Sequence, residues 1–294
     1  MSAVTPDAAR RTFRTAEPIH AMIYFTPHGA DTYAQVGITL PRMTYFASRS
    51  AAMGPASAEL VIATFFNFNP ALIRQVIPAA WDLATPAQLL AARLEAADRS
   101  LRQAWGDDVG GRQVLEAAGL ARRAAERAGR RCQGRPLFAA HASLPWPDLP
   151  HLVLWQAQTL LREFRGDGHV ALLLTEALDG LGALITHAAT GVIPAETLRA
   201  TRSWSEQDWA AGTERLRDQG WLADGQELTL SEDGRRRRRS IEDRTDQLAG
   251  YPYEAIGADG CARLTELTAP LSAAIMSAGL GFPAVLTARQ QQPS

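Results

Sequence analysis

The sequence contains no lysine; all of its 30 basic residues are arginine. That excludes Schiff-base and other lysine-centred covalent chemistry, and with the abundance of alanine it suggests a GC-rich coding sequence. There are two cysteines, Cys132 and Cys261, far apart and in no metal-ligand spacing. A cysteine-based zinc site is therefore excluded and one disulfide is the most the chain can form. No run approaches the ~18 apolar residues of a membrane-spanning helix. The opening residues carry Arg10, Arg11 and Arg14 but no apolar core, so no secretory leader and a cytoplasmic protein are expected. The 30 basic and 31 acidic residues nearly cancel, to a net charge of -1, which removes any chain-wide attraction to nucleic acid or membrane. The G-x-S-x-G elbow, the phosphate-binding P-loop and the G-x-G-x-x-G turn are all missing. Nothing then points to a hydrolase triad, a nucleotide cofactor or a Rossmann enzyme, and the identity of any other cofactor is unknown from the sequence.

What is present is an ordinary globular composition. The 294 residues are 46% hydrophobic and 21% charged, enough to bury a core and to form two domains. The pattern is helical almost throughout, so the expected fold class is mainly all-α. Thr15 with Glu17 and Pro18, Ser57 with Glu59, Asn69-Pro70 and Thr85-Pro86 each read as helix starts. The spacing predicts a helix from Pro150 that ends near Gly166, then a second, capped by Asp167, running to about Ala189. Gly and Pro are densest at 131–150, which reads as a connector between a helical N-terminal domain, 1–130, and a C-terminal domain, 151–294. In the latter, helices at Pro194–Ala200 and from Ser205 are followed by two short strands around Asp224-Gly225 and a helix from Gly234. That is the order of a winged helix-turn-helix.

Two resemblances sharpen this. The stretch RLRDQGWLADGQELTLSEDGR, at 215–235, resembles the end of the helix-turn-helix and the wing of MarR-type regulators. The strings PHLVLWQAQTLLREFRGDGHVALL, EPIHAMIYF and YFASRSAAMGPASAELVIATFFNFNP resemble an actinobacterial family of helix-turn-helix or SalK-like proteins, some encoded beside specialised-metabolite genes. The resemblance spans nearly the whole chain and implies the two-part architecture, but no reaction. A weak internal duplication adds to it: His20 and His169 each precede a glycine turn and a Ser/Glu-capped helix. Two pseudo-equivalent winged-helix halves would explain this; a homodimer is a separate possibility, with Arg235–Arg239 as one candidate subunit interface.

The expected DNA-facing surface is acidic. The helix from Ser205 opens with Glu206 and Asp208, and the wing tip carries Asp224 and Glu227. Both would approach a polyanion, so nucleic acid is a disfavoured partner. The run Arg235–Arg239 is the counter-argument, although successive helical residues turn by about 100° and cannot share one surface. Glu242 and Asp243 lie where they can pair with Arg238 and Arg239.

The densest polar chemistry lies in Arg162-Glu163-Phe164-Arg165-Gly166-Asp167-Gly168-His169. Asp167 and His169, at an expected helix start, are candidate catalytic residues with His20. Helical spacing from His169 places Leu173, Glu176, Gly180, Ala183 and His187 on one stripe. Glu17 and His20 form an E-x-x-H pair, a spacing that can hold iron or manganese in bundles. With one such motif, a metal remains an open question resting on His20 and His169. A ligand cleft between the halves, with His20 facing His169, would be lined by Glu17, Tyr24, Tyr45, Arg49, Asn67, His151, Trp155, Arg165 and Glu176. The expected function is a small-molecule-binding protein or enzyme of specialised metabolism. The alternatives are a ligand-responsive winged-helix regulator and a self-resistance protein that sequesters a metabolite.

Overall fold

A computed structural model describes residues 3–281; the last residues of the expected C-terminal domain, 282–294, lie outside the described residues. The chain is all-α. The helices are α1 (Pro6–Ala21), α2 (Pro27–Gln35), α3 (Pro41–Ser50), α4 (Ala58–Thr64), α5 (Pro70–Val76), α6 (Ala79–Leu83), α7 (Pro86–Trp105), α8 (Arg112–Ala128), α9 (Pro136–Ala142), α10 (Pro150–Thr175), α11 (Gly180–Ala188), α12 (Ala195–Arg202), α13 (Glu206–Asp218), α14 (Glu232–Gly250) and α15 (Gly257–Ser277). No single helix among the described residues is long and apolar enough to cross a membrane.

Most helix starts follow local chemistry. Ser57, Asn69 and Ser205 each accept a backbone N–H of the first turn they cap. Thr85 and Gln88 form a reciprocal capping box before the proline-led α7, the strongest such signal in the chain. The first helix starts earlier than expected, because Thr5-Pro6-Asp7 supplies cap, N1 proline and first-turn acid, and Thr15 lies inside it.

The largest correction is α10. It does not end at Gly166 and Asp167 does not begin a new helix: one helix of 26 residues runs through both glycines. Two helical glycines cost about 1 kcal/mol each. Burial of Leu160, Leu161, Phe164, Leu172 and Leu173 on either side, at roughly 1.5–3 kcal/mol per side chain, outweighs that. The chain breaks instead at 176–179, where α11 leaves at 97° to α10.

Three large apolar clusters, with a small one of Leu184, Ala188 and Leu198 between α11 and α12, hold the described helices. The largest joins α1, α7, α8, α10 and α15 around Ile19, Leu101, Leu154, Phe164 and Leu264. On α8 the alanines 117, 121, 124 and 128 are all buried, and their short side chains let α10 approach closely. A second cluster, around Phe46, Ile73 and Leu89, ties the short helices α3–α6 to α7. A third joins the end of α10 to α11, α13 and α14 through Leu181, Leu216, Trp221 and Ile241. Between α13 and α14 the expected strand pair is reduced to one antiparallel bridge, Leu222 to Leu230, the only isolated bridge among the described residues. Around the polar tip Asp224-Gly225-Gln226-Glu227 the two arms are held by the Ala223 N–H to the Thr229 carbonyl and the Ser231 N–H to the Trp221 carbonyl, both at 3.0 Å.

Candidate functional site

A cavity of about 340 Å³ lies at the seam where the N-terminal helices meet the α11–α14 segment. Its walls come from α3, the turn after α4, α10, α11, α12 and α14. On α10 the residues Glu163, Gly166, Asp167, Val170 and Leu173 share one helical face and all line it. The sharp turn before α11 folds His187 back over the same space as His169. Gly180 makes that turn possible: a Cβ there would lie 1.9 Å from the Phe66 carbonyl oxygen. The seam is fastened by the Asn69 N–H to the Arg202 carbonyl at 3.0 Å, and by the Trp204 indole N–H to the Asn67 carbonyl at 3.0 Å.

Four guanidinium groups reach this cavity, from Arg49, Arg162, Arg202 and Arg238, against two carboxyl groups, from Glu163 and Asp167. Glu163 is 2% exposed and accepts from Arg49 at 2.9 Å and from Arg162 at 3.0 Å. Burial alone would raise its pKa, but Arg162 and Arg49 outweigh it and hold the carboxyl well below the usual range. Arg49 also donates to the Tyr45 hydroxyl at 2.6 Å and stands over the rings of Tyr24 and Phe65. Its Nε has no partner. Burial pulls the Arg202 guanidinium below its ordinary pKa, and its Nε is likewise buried without a partner. The Arg202 plane stacks on Phe68, 4.8 Å from the ring centroid.

Asp167 is a cap after all, but of another helix. Its Oδ2 accepts the Phe138 N–H of α9 at 2.9 Å, and burial pushes its pKa up to about 6 against that bond. His169 accepts from or donates to the Thr245 hydroxyl through Nδ1 at 2.9 Å. Burial lowers both His169 and His187 to about 4, so both are neutral near pH 7.

Of the residues singled out in the sequence, Tyr45, Arg49, Asn67, Asp167 and His169 meet in this cavity. His20 does not face His169. It is fully buried, bonded to Thr159 at 2.9 Å and to the Tyr24 hydroxyl at 2.7 Å. Thr159 precedes His169 by ten residues of α10, about 15 Å along the axis. Tyr24 sits one layer behind the cavity, beneath Arg49. Glu17 lies near Arg162 at 3.9 Å, and burial raises it to about 7. Arg165 points away, to Asp246 at 2.6 Å. Glu176 pairs with Arg237 at 3.4 Å, and His151 with Asp98 at 2.5 Å. Trp155 lines a different cavity. The expected stripe from His169 to His187 is therefore not one face of one helix: its ends meet because the chain turns between them. Among the described residues no group of three or more His, Cys, Asp or Glu is placed to hold a metal ion.

Sequence reasoning weighed Arg238 only as part of the arginine run and did not place it or Arg202 in the cleft, because they come from helices distant in sequence. Arg162-Glu163 did carry a local signal. A charged pair inside the run Leu160, Leu161, Phe164 is out of place unless it is paired and buried.

The arginine run of α14 disperses as helical geometry requires. Arg236 pairs with Asp233 at 2.8 Å, Arg237 stacks 3.8 Å from the Trp221 ring centroid, and Arg238 donates to Glu242 at 2.9 Å. On α13 the exposed charged residues are Glu206, Asp208, Glu214, Arg215 and Asp218.

The sequence model of the Helix-turn-helix family matches residues 9–282. No curated protein and no solved structure matches the chain.

Proposed function

We propose that this chain, which belongs to the helix-turn-helix family, binds a small organic anion with an aromatic body in the seam cavity. The observation that carries the reading is the charge imbalance. Arg49, Arg162, Arg202 and Arg238 converge on one space; Glu163 is shared by Arg49 and Arg162, Arg238 is paired with Glu242, and Arg202 has no carboxylate partner among the described residues. Buried guanidinium groups with unpaired donors favour an anionic guest, because leaving them unpaired costs the full desolvation penalty. Phe65, Phe66 and Phe68 supply apolar faces for its body. Neutral His169 and His187 can accept or donate one hydrogen bond each. Within this reading the α11–α14 segment is a winged helix-turn-helix of MarR type, used as one wall of the site. The resemblance of the sequence to actinobacterial SalK-like proteins supports a ligand from specialised metabolism.

Family membership favours a second reading, a ligand-responsive regulator. The cavity touches α11, α12 and α14 together, so a guest there would bias how that segment sits. Against it stands the acidic exposed face of α13, which in this reading would enter the major groove.

Titration calorimetry with benzenedisulfonate and its neutral counterpart benzenedimethanol tests the first reading. Binding of the anion alone is expected, weakened at least tenfold by Arg202→Met. Equal binding of the neutral compound, or none of either, overturns it. A gel shift separates the readings. Affinity for random duplex weaker than the ~10⁻⁴–10⁻⁶ M of non-specific binders is expected. Tight, salt-sensitive binding to DNA upstream of the protein's own gene would promote the regulator.

A further inference from the structure

A second cavity of about 310 Å³ lies between α7, the start of α10 and the loop after α9. Its character is opposite to that of the seam. Leu90, Leu94 and Leu160 make its walls, and no carboxylate lines it. Its rim is solvent-exposed at Ala91, while its floor holds Arg93, 2% exposed.

Arg93 is an unusual residue to find there. Its Nε and Nη2 are buried with no hydrogen-bond partner, and among the described residues it forms no ion pair. What neighbours it are ring faces: Trp155 at 5.3 Å and Tyr24 at 5.8 Å from the guanidinium carbon. The Trp155 indole nitrogen, at the same floor, is also buried and unpartnered. Arg93 and Trp155 both line this apolar chamber, three of their N–H donors are buried without a partner, and one of the two side chains carries a full charge. Cation–π contacts offset part of the desolvation of a guanidinium but leave its N–H groups unmet.

We infer that this chamber is a binding site for an apolar monocarboxylate, its tail along Leu90, Leu94 and Leu160 and its carboxylate on Arg93 and Trp155. The tail leaves water, and the carboxylate meets a preformed fork of donors. The site is independent of the seam cavity. It shares no lining residue with it; the two meet at the Tyr24 ring, which both Arg49 and Arg93 approach, and at His141, whose Nε2 lies 3.3 Å from the Arg49 carbonyl oxygen.

The test is calorimetric titration of the full chain with octanoate, octanol and octylammonium. Octanoate is expected to bind at least tenfold more tightly than either of the others. Arg93→Met should remove that preference while leaving octanol binding unchanged or stronger. Ala91→Trp, an exposed rim substitution that keeps Arg93, should weaken all three and guards against misfolding of the Arg93 variant. Arg202→Met, in the seam, should leave octanoate binding intact. Octanol binding as tightly as octanoate, no octanoate binding, or loss of octanoate binding on Arg202→Met each overturn the proposal.

Discussion

Arg49 and Arg93 stand on the same aromatic ring, that of Tyr24, and are equally buried, at 4% and 2% exposure. Their surroundings differ. Arg49 shares Glu163 with Arg162 and reaches the Tyr45 hydroxyl; Arg93 has rings and no acceptor. A buried charge that is paired is part of the fold, and removing its partner strands it. A buried charge that is unpaired lowers stability in the free protein and is better explained by something that comes and goes. The two cavities inherit this difference, one framed by an ion-pair network, the other by a lone cation in an apolar wall.

The comparison is strained most by acid. Burial lowers His141, His169 and His187 to about 4, and His20 well below its usual value of 6.5. An unfolded chain protonates these groups near 6.5 while the folded one does not, so folding loses stability as pH falls from about 6.5 toward 4. Glu17 and Asp167 act the other way. Their folded values, about 7 and about 6, are raised, so they remove stability as pH rises through that range. Four histidines outnumber two carboxyls, so a net fall of roughly 2–3 kcal/mol per pH unit is expected around pH 5. Thermal melts between pH 7 and 4.5 read it; a flat Tm would mean the buried histidines are not held neutral.

Next in size is the pairing itself. Glu163→Gln strands Arg49 and Arg162 and should cost about 3 kcal/mol, whereas Arg93→Met should be neutral or slightly stabilising. Urea denaturation of both variants decides. Comparable losses in the two would erase the distinction between them.

Little of that distinction was legible in the sequence. The helix starts were, wherever Ser, Asn or Thr and a following proline or acid fixed them: Ser57, Asn69, Thr85 and Ser205. The continuity of α10 was not, because two glycines around Asp167 look like a break until the burial on either side is known. Arg49 and Glu163 are separated by 114 residues, and nothing local announces that they meet. Asp167 was legible as a cap but not as the cap of α9, and Trp155 as a cavity wall but not as the neighbour of an unpaired arginine in a different cavity.

Gly180→Ala probes the seam alone. With its Cβ placed 1.9 Å from the Phe66 carbonyl oxygen, α11 must shift, at roughly 1–3 kcal/mol for an overpacked contact. Because that contact sets the distance between His187 and α10, benzenedisulfonate affinity should fall severalfold. Octanoate affinity should not change, since no residue of α11 lines the second cavity. Loss of both on the same variant would mean the two cavities are coupled through the core.

The smallest expected effect separates the cavities by their response to pH. Asp167, at about 6, lines the seam and is mostly ionised near neutrality but gains protons as the pH falls through about 6. Its carboxylate repels an anion in that cavity, and protonation removes the repulsion, so binding strengthens as pH falls. By linkage the bound anion raises the pKa of Asp167 in turn. Glu163 is too acidic to contribute in this range, and His169 and His187 stay neutral above pH 5. Benzenedisulfonate, whose own charge is fixed, should therefore bind about two- to fivefold more tightly at about pH 5.5 than at about pH 7.5. Octanesulfonate, the fixed-charge analogue of octanoate, should show no such gain, because no carboxyl lines the Arg93 cavity and burial keeps His141 neutral. Asp167→Asn should reduce the pH dependence in the seam, leaving the smaller part due to Glu17 beside Arg162, while the anion stays bound, since the amide oxygen can still accept the Phe138 N–H. An equal pH response at both cavities would assign the titrating group elsewhere and remove Asp167 from the site.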